Sequence, residues 1–125
     1  MKKIIYLFIF LSYSALGQMP SAFNFTPTNF SATFYGQAQL NGQFVDSLDW
    51  IAAFDTSGNC VGASAIVMYN GISYINLVIY GDDPTTPNID EGINGTEAFY
   101  LKLYDASIDI VYTFQSDTNI VSFNG

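Results

Sequence analysis

Two Asn-Gly pairs, Asn41-Gly42 and Asn70-Gly71, each interrupt a run of strand-forming residues. Both residue types tolerate positive φ, so this dipeptide closes two-residue hairpins whose twist matches that of the flanking strands. The flanks agree with that reading. Phe30, Ala32, Phe34, Gly36, Ala38 and Leu40 alternate with Ser31, Thr33, Tyr35, Gln37 and Gln39, which is the period of a strand with one buried and one wet face. Residues 60–69 and 72–80 flank the second pair and predict a further hairpin. Phe99, Leu101 and Leu103 oppose Tyr100, Lys102 and Tyr104, and a turn at 105–107 leads into a strand over 108–114. A short apolar strand over 49–54 and a last one over 119–123 complete the set. No segment sustains an apolar period of about 3.6 residues. The pattern predicts an all-β chain, an antiparallel β-sandwich of seven to eight strands, with a small β-barrel as the alternative closure.

Residues 1–17 read as a secretory signal peptide. Lys2 and Lys3 precede the apolar run from Ile4 to Leu11, and Ser14-Ala15-Leu16-Gly17 supplies small residues for cleavage before Gln18. The run is shorter than the roughly 20 residues a membrane-spanning helix needs. The expectation is a chain secreted to the periplasm, the cell surface or the medium, with no membrane insertion after cleavage. Residues 18–125 then form one domain, with 18–29 as an extended lead-in.

Charge narrows the partners. The chain has three basic and eleven acidic side chains, a formal net charge of −8. Loss of the leader leaves Lys102 as the only basic group. Such a surface repels nucleic-acid phosphates and anionic membranes, because no cationic patch releases their counterions. A nucleic-acid partner is therefore excluded, while divalent cations and basic partners remain compatible.

Catalytic chemistry is thinly supplied. The chain has no histidine, which removes histidine-activated nucleophiles and most transition-metal sites. Cys60 is the single cysteine, so it makes no intramolecular disulfide and no thiolate zinc site. It reads as a small buried hydrophobe or as a reactive thiol. A carboxylate pair of the kind used in glycoside hydrolysis is the surviving enzyme option. No such pair is fixed by the pattern, and the chain is read as non-enzymatic.

The segment over 80–92 concentrates Asp82, Asp83, Asp90 and Glu91 around two prolines and two threonines, and Glu97 follows. Calcium takes six to eight hard oxygens. Asp82, Asp83, Asn88, Asp90, Glu91 and Glu97 are the candidate ligands, making calcium the one candidate cofactor. The alternative is a brace without metal, in which Asp and Thr side chains cap turn N–H groups and the prolines fix the path.

The runs Asp49-Trp50-Ile51-Ala52-Ala53-Phe54-Asp55, Gly58-x-Cys60-Val61-Gly62, Ile79-Tyr80-Gly81-Asp82-Asp83, Asp90-Glu91-Gly92 and Glu97-Ala98-Phe99 together resemble a β-rich module. That module recurs in large exported proteins of gliding-type bacteria, often beside a type IX secretion sorting domain. The resemblance covers about residues 32–114 and implies a surface or extracellular accessory module. It also implies that the Asp49–Asp55 and Tyr80–Glu97 runs form one unit. A carboxylate of Asp49 or Asp55 is therefore expected near the acidic loop.

Tyrosines supply the remaining candidates. Tyr100 and Tyr104 share the polar face of one strand, Tyr74 and Tyr80 a face of another, and Trp50 begins a third. Exposed rings can stack on sugar, whereas tyrosine also pairs across strands for purely structural reasons. The expected function is a secreted binding or adhesion module, carbohydrate-associated and calcium-stabilised in its sharpest form. Its partner would be an extracellular glycan or a protein surface. The alternative is a self-associating structural subunit of an extracellular assembly.

Overall fold

A computed structural model describes residues 18–85, 87–89, 92–94, 97–114 and 121–123. The expected leader lies outside the described residues. The chain forms β1 (Ser31–Leu40), β2 (Gln43–Phe44), β3 (Trp50–Asp55), β4 (Cys60–Ala65), β5 (Val67–Tyr69), β6 (Ile72–Tyr80), β7 (Phe99–Asp105), β8 (Ile110–Thr113) and β9 (Val121–Phe123). Two sheets pack face to face as a β-sandwich. One runs in the order β2-β1-β6-β5, with β9 joined to β1 in parallel; the other runs β4-β3-β7-β8, with every neighbouring pair antiparallel. Neither sheet closes on itself into a barrel.

Both Asn-Gly pairs form the expected turns. Asn41 and Gly42 take φ of 52° and 77°, and Asn70 and Gly71 take 49° and 76°, so both central residues of each turn are left-handed, as a type I′ turn requires. The alternation over β1 holds from Phe34 to Leu40, whereas Phe30 and Ala32, on the expected buried face, are exposed at the sheet's end. Ala38 is fully buried and Phe34 and Leu40 pack against the core, while Tyr35 on the opposite face is 73% exposed. The core between the sheets is built from Ile51, Ala53, Val61, Ile75, Leu77, Leu101 and Leu103, among others.

The second hairpin is shorter than its sequence suggests. Residues 60–69 do not form one strand. The chain leaves the second sheet at Ala65 and enters the first at Val67, and Ile66 at the crossing donates its N–H to Asp49 O at 3.0 Å. Of residues 60–69, only those of β5 pair with β6, through Val67 with Tyr74 and Tyr69 with Ile72. β4 instead crosses close over β6. A methyl group at Gly62 would collide with the carbonyl oxygen of Val78.

β3 is buried on both faces, which explains its unbroken apolar run. Ile51 and Ala53 face the core, while Ala52 and Phe54 face outward under a second cluster. Its cover comes from the lead-in. A 3₁₀ turn over Ser21–Phe23 places Phe23, fully buried, edge-on to Phe54 at 5.8 Å and to Tyr104 at 6.4 Å. The lead-in is thus a strap over the outer face of the second sheet.

Candidate functional site

The base of the acidic loop is bolted to the end of the first sheet. Gly81 N–H donates to Phe30 O at 2.7 Å, Asp82 N–H to Ile93 O at 3.0 Å, and Ile93 N–H to Tyr80 O at 3.0 Å. The Thr28 hydroxyl donates to Gly81 O at 2.6 Å. Beyond this base, Asp83 Oδ1 accepts from the backbone N–H of Thr85 at 2.8 Å and from its hydroxyl at 2.7 Å. That is the local cap expected where Asp precedes Pro-Thr. The Thr85 hydroxyl, ahead of its N–H, holds the Asp83 carboxyl below the usual range.

Glu97 ties the loop to the second sheet. Its Oε1 accepts from the Thr56 hydroxyl at 2.8 Å and the Thr56 N–H at 3.2 Å, and its Oε2 from the Asn94 N–H at 3.2 Å. Thr56 is presented by a turn that Asp55 builds. Buried Asp55 accepts the N–H groups of Ser57 at 3.0 Å and Asn59 at 2.8 Å on Oδ1, and the Asn59 side-chain amide at 3.2 Å on Oδ2. The two runs therefore do meet at the Asp55 end of β3, but through Thr56 rather than through paired carboxylates. Asp49 sits at the other end of β3, about 20 Å along the strand. There it accepts from the N–H groups of Asp46 and Ala106, and burial pushes its carboxyl above the usual range.

Among the described residues no three acidic or cysteine side chains converge as a metal-holding group. Asn88 is exposed, Asp82 stands at the loop base, and Asp90 and Glu91 lie outside the described residues. The loop has the bonding of a brace, and the brace has a pH signature. The Thr56 hydroxyl, first among its donors, holds the Glu97 carboxyl below its ordinary value. Unfolding raises that pKa, so the unfolded chain binds the extra proton. The stability contributed is present above the ordinary glutamate value and is lost as pH falls through the folded one. Glu97→Gln is expected to flatten the stability profile in that acidic window, as measured by urea unfolding at stepped pH. An unchanged slope there would show that the tie carries no linkage.

The five ring candidates do not share one surface. Trp50, Tyr100 and Tyr104 belong to the strapped outer face of the second sheet, packed with Phe23 and Phe54. Tyr100 stacks on Phe54 at 5.7 Å, and the Lys102 ammonium lies 4.5 Å from the Phe54 ring centre. Tyr104 donates its hydroxyl to Asp109 at 2.8 Å. Tyr80 stacks on Phe25 of the lead-in at 5.5 Å. Only Tyr74 lies on an open sheet face.

That face has two further rings that the sequence reading did not single out. Tyr35 is 73% exposed and Tyr69 66%. Ladder registers put them beside Tyr74: Gln37 and Val67 are its cross-strand partners, Tyr35 pairs with Asn76, and Tyr69 pairs with Ile72. Together Tyr35, Gln37, Val67, Tyr69, Tyr74 and Asn76 line a shallow groove of about 810 Å³. The alternation of β1 does turn Tyr35 to solvent. Its neighbours follow only from the pairing of β1 with β6, which no local pattern specifies.

A second hollow, of about 430 Å³, lies between Phe30, Phe99 and the loop residues Asp82, Asn94 and Glu97. Comparison of the chain with protein-family models, with curated proteins and with solved structures gives no match.

Proposed function

We propose that this protein is an exported, non-catalytic binding module that holds carbohydrate on the outer face of its first sheet. The observation that carries this reading is the trio Tyr35, Tyr69 and Tyr74 on one face that no described residue covers, with the Gln37 and Asn76 amides among them. Two large rings, Tyr35 and Tyr69, stand mostly in solvent. A contiguous exposed patch of apolar surface marks an interaction site more often than chance exposure does, and tyrosine offers a rigid apolar plate with a polar edge. The groove is open and shallow, which suits holding a polymer better than enclosing a reacting bond. The expected leader and the resemblance to a surface accessory module support an extracellular setting.

The test is co-sedimentation of the protein with insoluble polysaccharides. Retention that Tyr35→Ala and Tyr69→Ala abolish supports the reading, and failure to sediment with any polysaccharide sinks it. The structural-subunit reading draws on the exposed edge strand β5. The first sheet offers little to pair with, since β5 has three residues and β2 two, but the second sheet ends on β4, of six residues, so a defined oligomer in solution would support this second reading.

In this proposal the acidic loop is scaffold. Hydrogen bonds from Thr85, Thr56 and Asn94 already occupy Asp83 and Glu97. Millimolar calcium is therefore expected to leave the melting temperature within about 1 °C of that in chelator. A cation bound only by the folded state would add about 2.7 kcal/mol at a hundredfold excess over its Kd, a rise of roughly 10 °C or more for a domain of this size. Such a rise would reinstate calcium at the loop.

A further inference from the structure

We infer that the tyrosine face takes an uncharged, extended polysaccharide, laid obliquely across the strands from Tyr35 past Tyr74 to Tyr69. This rests on the proposed carbohydrate role of the same face. The ladder registers set the line. Tyr35 lies level with Asn76 of β6, Tyr74 stands one outward position along, and Tyr69 lies level with Ile72, one position further and one strand over. Strands lie about 4.8 Å apart and rise about 3.3 Å per residue, so each diagonal step is about 8 Å and the track is about 16 Å long. Three rings on three adjacent strands make a path for a chain rather than a socket for one sugar. Gln37 beside Tyr74 and Asn76 beside Tyr35 place amides that both donate and accept next to the rings, matching sugar hydroxyls, which also do both.

Charge selects the class. The protein is acidic, at −8, yet the outward positions of β1 from Thr33 to Gln37, of β6 from Ile72 to Val78, and of β5 at Val67 and Tyr69 are all uncharged. A uronic acid or sulfated polymer would find no cation there and would approach a like-charged molecule. Lys102, the one described basic residue, is held on the opposite sheet over Phe54 and Tyr100. A cationic polymer would find no carboxylate on the face. Among the described residues the groove lies open along the sheet, so recognition falls on the middle of a chain rather than on its terminus.

The test is calorimetric titration of the protein with cello-oligosaccharides of increasing length, soluble mixed-linkage β-glucan, amylose and polygalacturonate. The expected result is binding of the uncharged extended chains, with affinity rising with length until all three rings are covered. Tyr35→Ala and Tyr69→Ala should each weaken it about five- to tenfold, the loss typical of a ring at the centre of a contact. Both rings are mostly exposed, so the variants should keep the wild-type melting temperature. Binding of polygalacturonate through the same tyrosines, as tightly as β-glucan, would overturn the uncharged class while sparing the carbohydrate role. Preference for coiled amylose would overturn the extended geometry. Binding that neither tyrosine variant alters would overturn the site, and no binding of any probe would overturn the carbohydrate role itself.

Discussion

Gly62→Ala is expected to lower the melting temperature by about 15 °C, corresponding to about 3 kcal/mol of lost stability. The added methyl has nowhere to go, because it would overlap the main-chain oxygen of Val78. Neither wall of that contact moves freely. Gly62 is held opposite Ala53 in the β3–β4 ladder, and Val78 opposite Thr33 in the β1–β6 ladder. Relief requires the two sheets to separate at this close approach, opening the core around Val61 and Ile79. The gain from restricting the unfolded chain, about 0.4–1 kcal/mol for Gly to Ala, is too small to offset this. Gly71→Ala is the control. Its φ is 76° and a methyl there meets open space, so it suffers only the left-handed backbone penalty of about 1–2 kcal/mol. Thermal unfolding of both variants separates the mechanisms. Equal losses would mean that the crossing of β4 over β6 is not sterically fixed.

The sequence made the local features of this fold legible and left the non-local ones obscure. The Asn-Gly turns, the two-faced alternation of β1 and the split of β7 into Leu101 and Leu103 against Tyr100 and Tyr104 are encoded within a few residues. Each is decided by backbone preference or by a period of two. The break at Ile66 has no such mark. Ala63-Ser64-Ala65-Ile66-Val67 reads as continuous strand, and the switch of sheets is fixed by the backbone of Asp49, 17 residues away in sequence. The same holds for the site. Tyr100 and Tyr104 alternate as an open face would, but their face is closed by Phe23, about eighty residues upstream. Tyr35 and Tyr69 meet around Tyr74 only because β1 and β5 flank β6 on opposite edges.

Phe23→Ala should cost about 4 kcal/mol, within the range for deleting a buried aromatic side chain, and should also open up the half-buried thiol of Cys60. Phe23 is the largest side chain that the lead-in buries. It fills the outer face of β3 against Ala52, Phe54 and Tyr104, and its carbonyl accepts the Cys60 thiol at 3.3 Å. Burial, ahead of any other cause, raises the Cys60 pKa, so the thiol is poorly nucleophilic while the strap is down. Without the ring, the partly buried Met19 is what remains of the apolar contact between residues 19–24 and the sheet. The next firm attachments are the Phe25–Tyr80 stack and the Thr28 hydrogen bond to Gly81. Local release of the strap should therefore precede unfolding of the sandwich. The expected result is that an aromatic disulfide reagent labels Cys60 in the variant far faster than global unfolding allows, under conditions where circular dichroism still reports native sheet. Phe23→Leu, which keeps most of the volume, should retain slow labelling and lose about 1 kcal/mol. If Cys60 in Phe23→Ala reacted only at the rate of global unfolding, the strap would be an integral part of the sandwich, opening with both sheets rather than ahead of them.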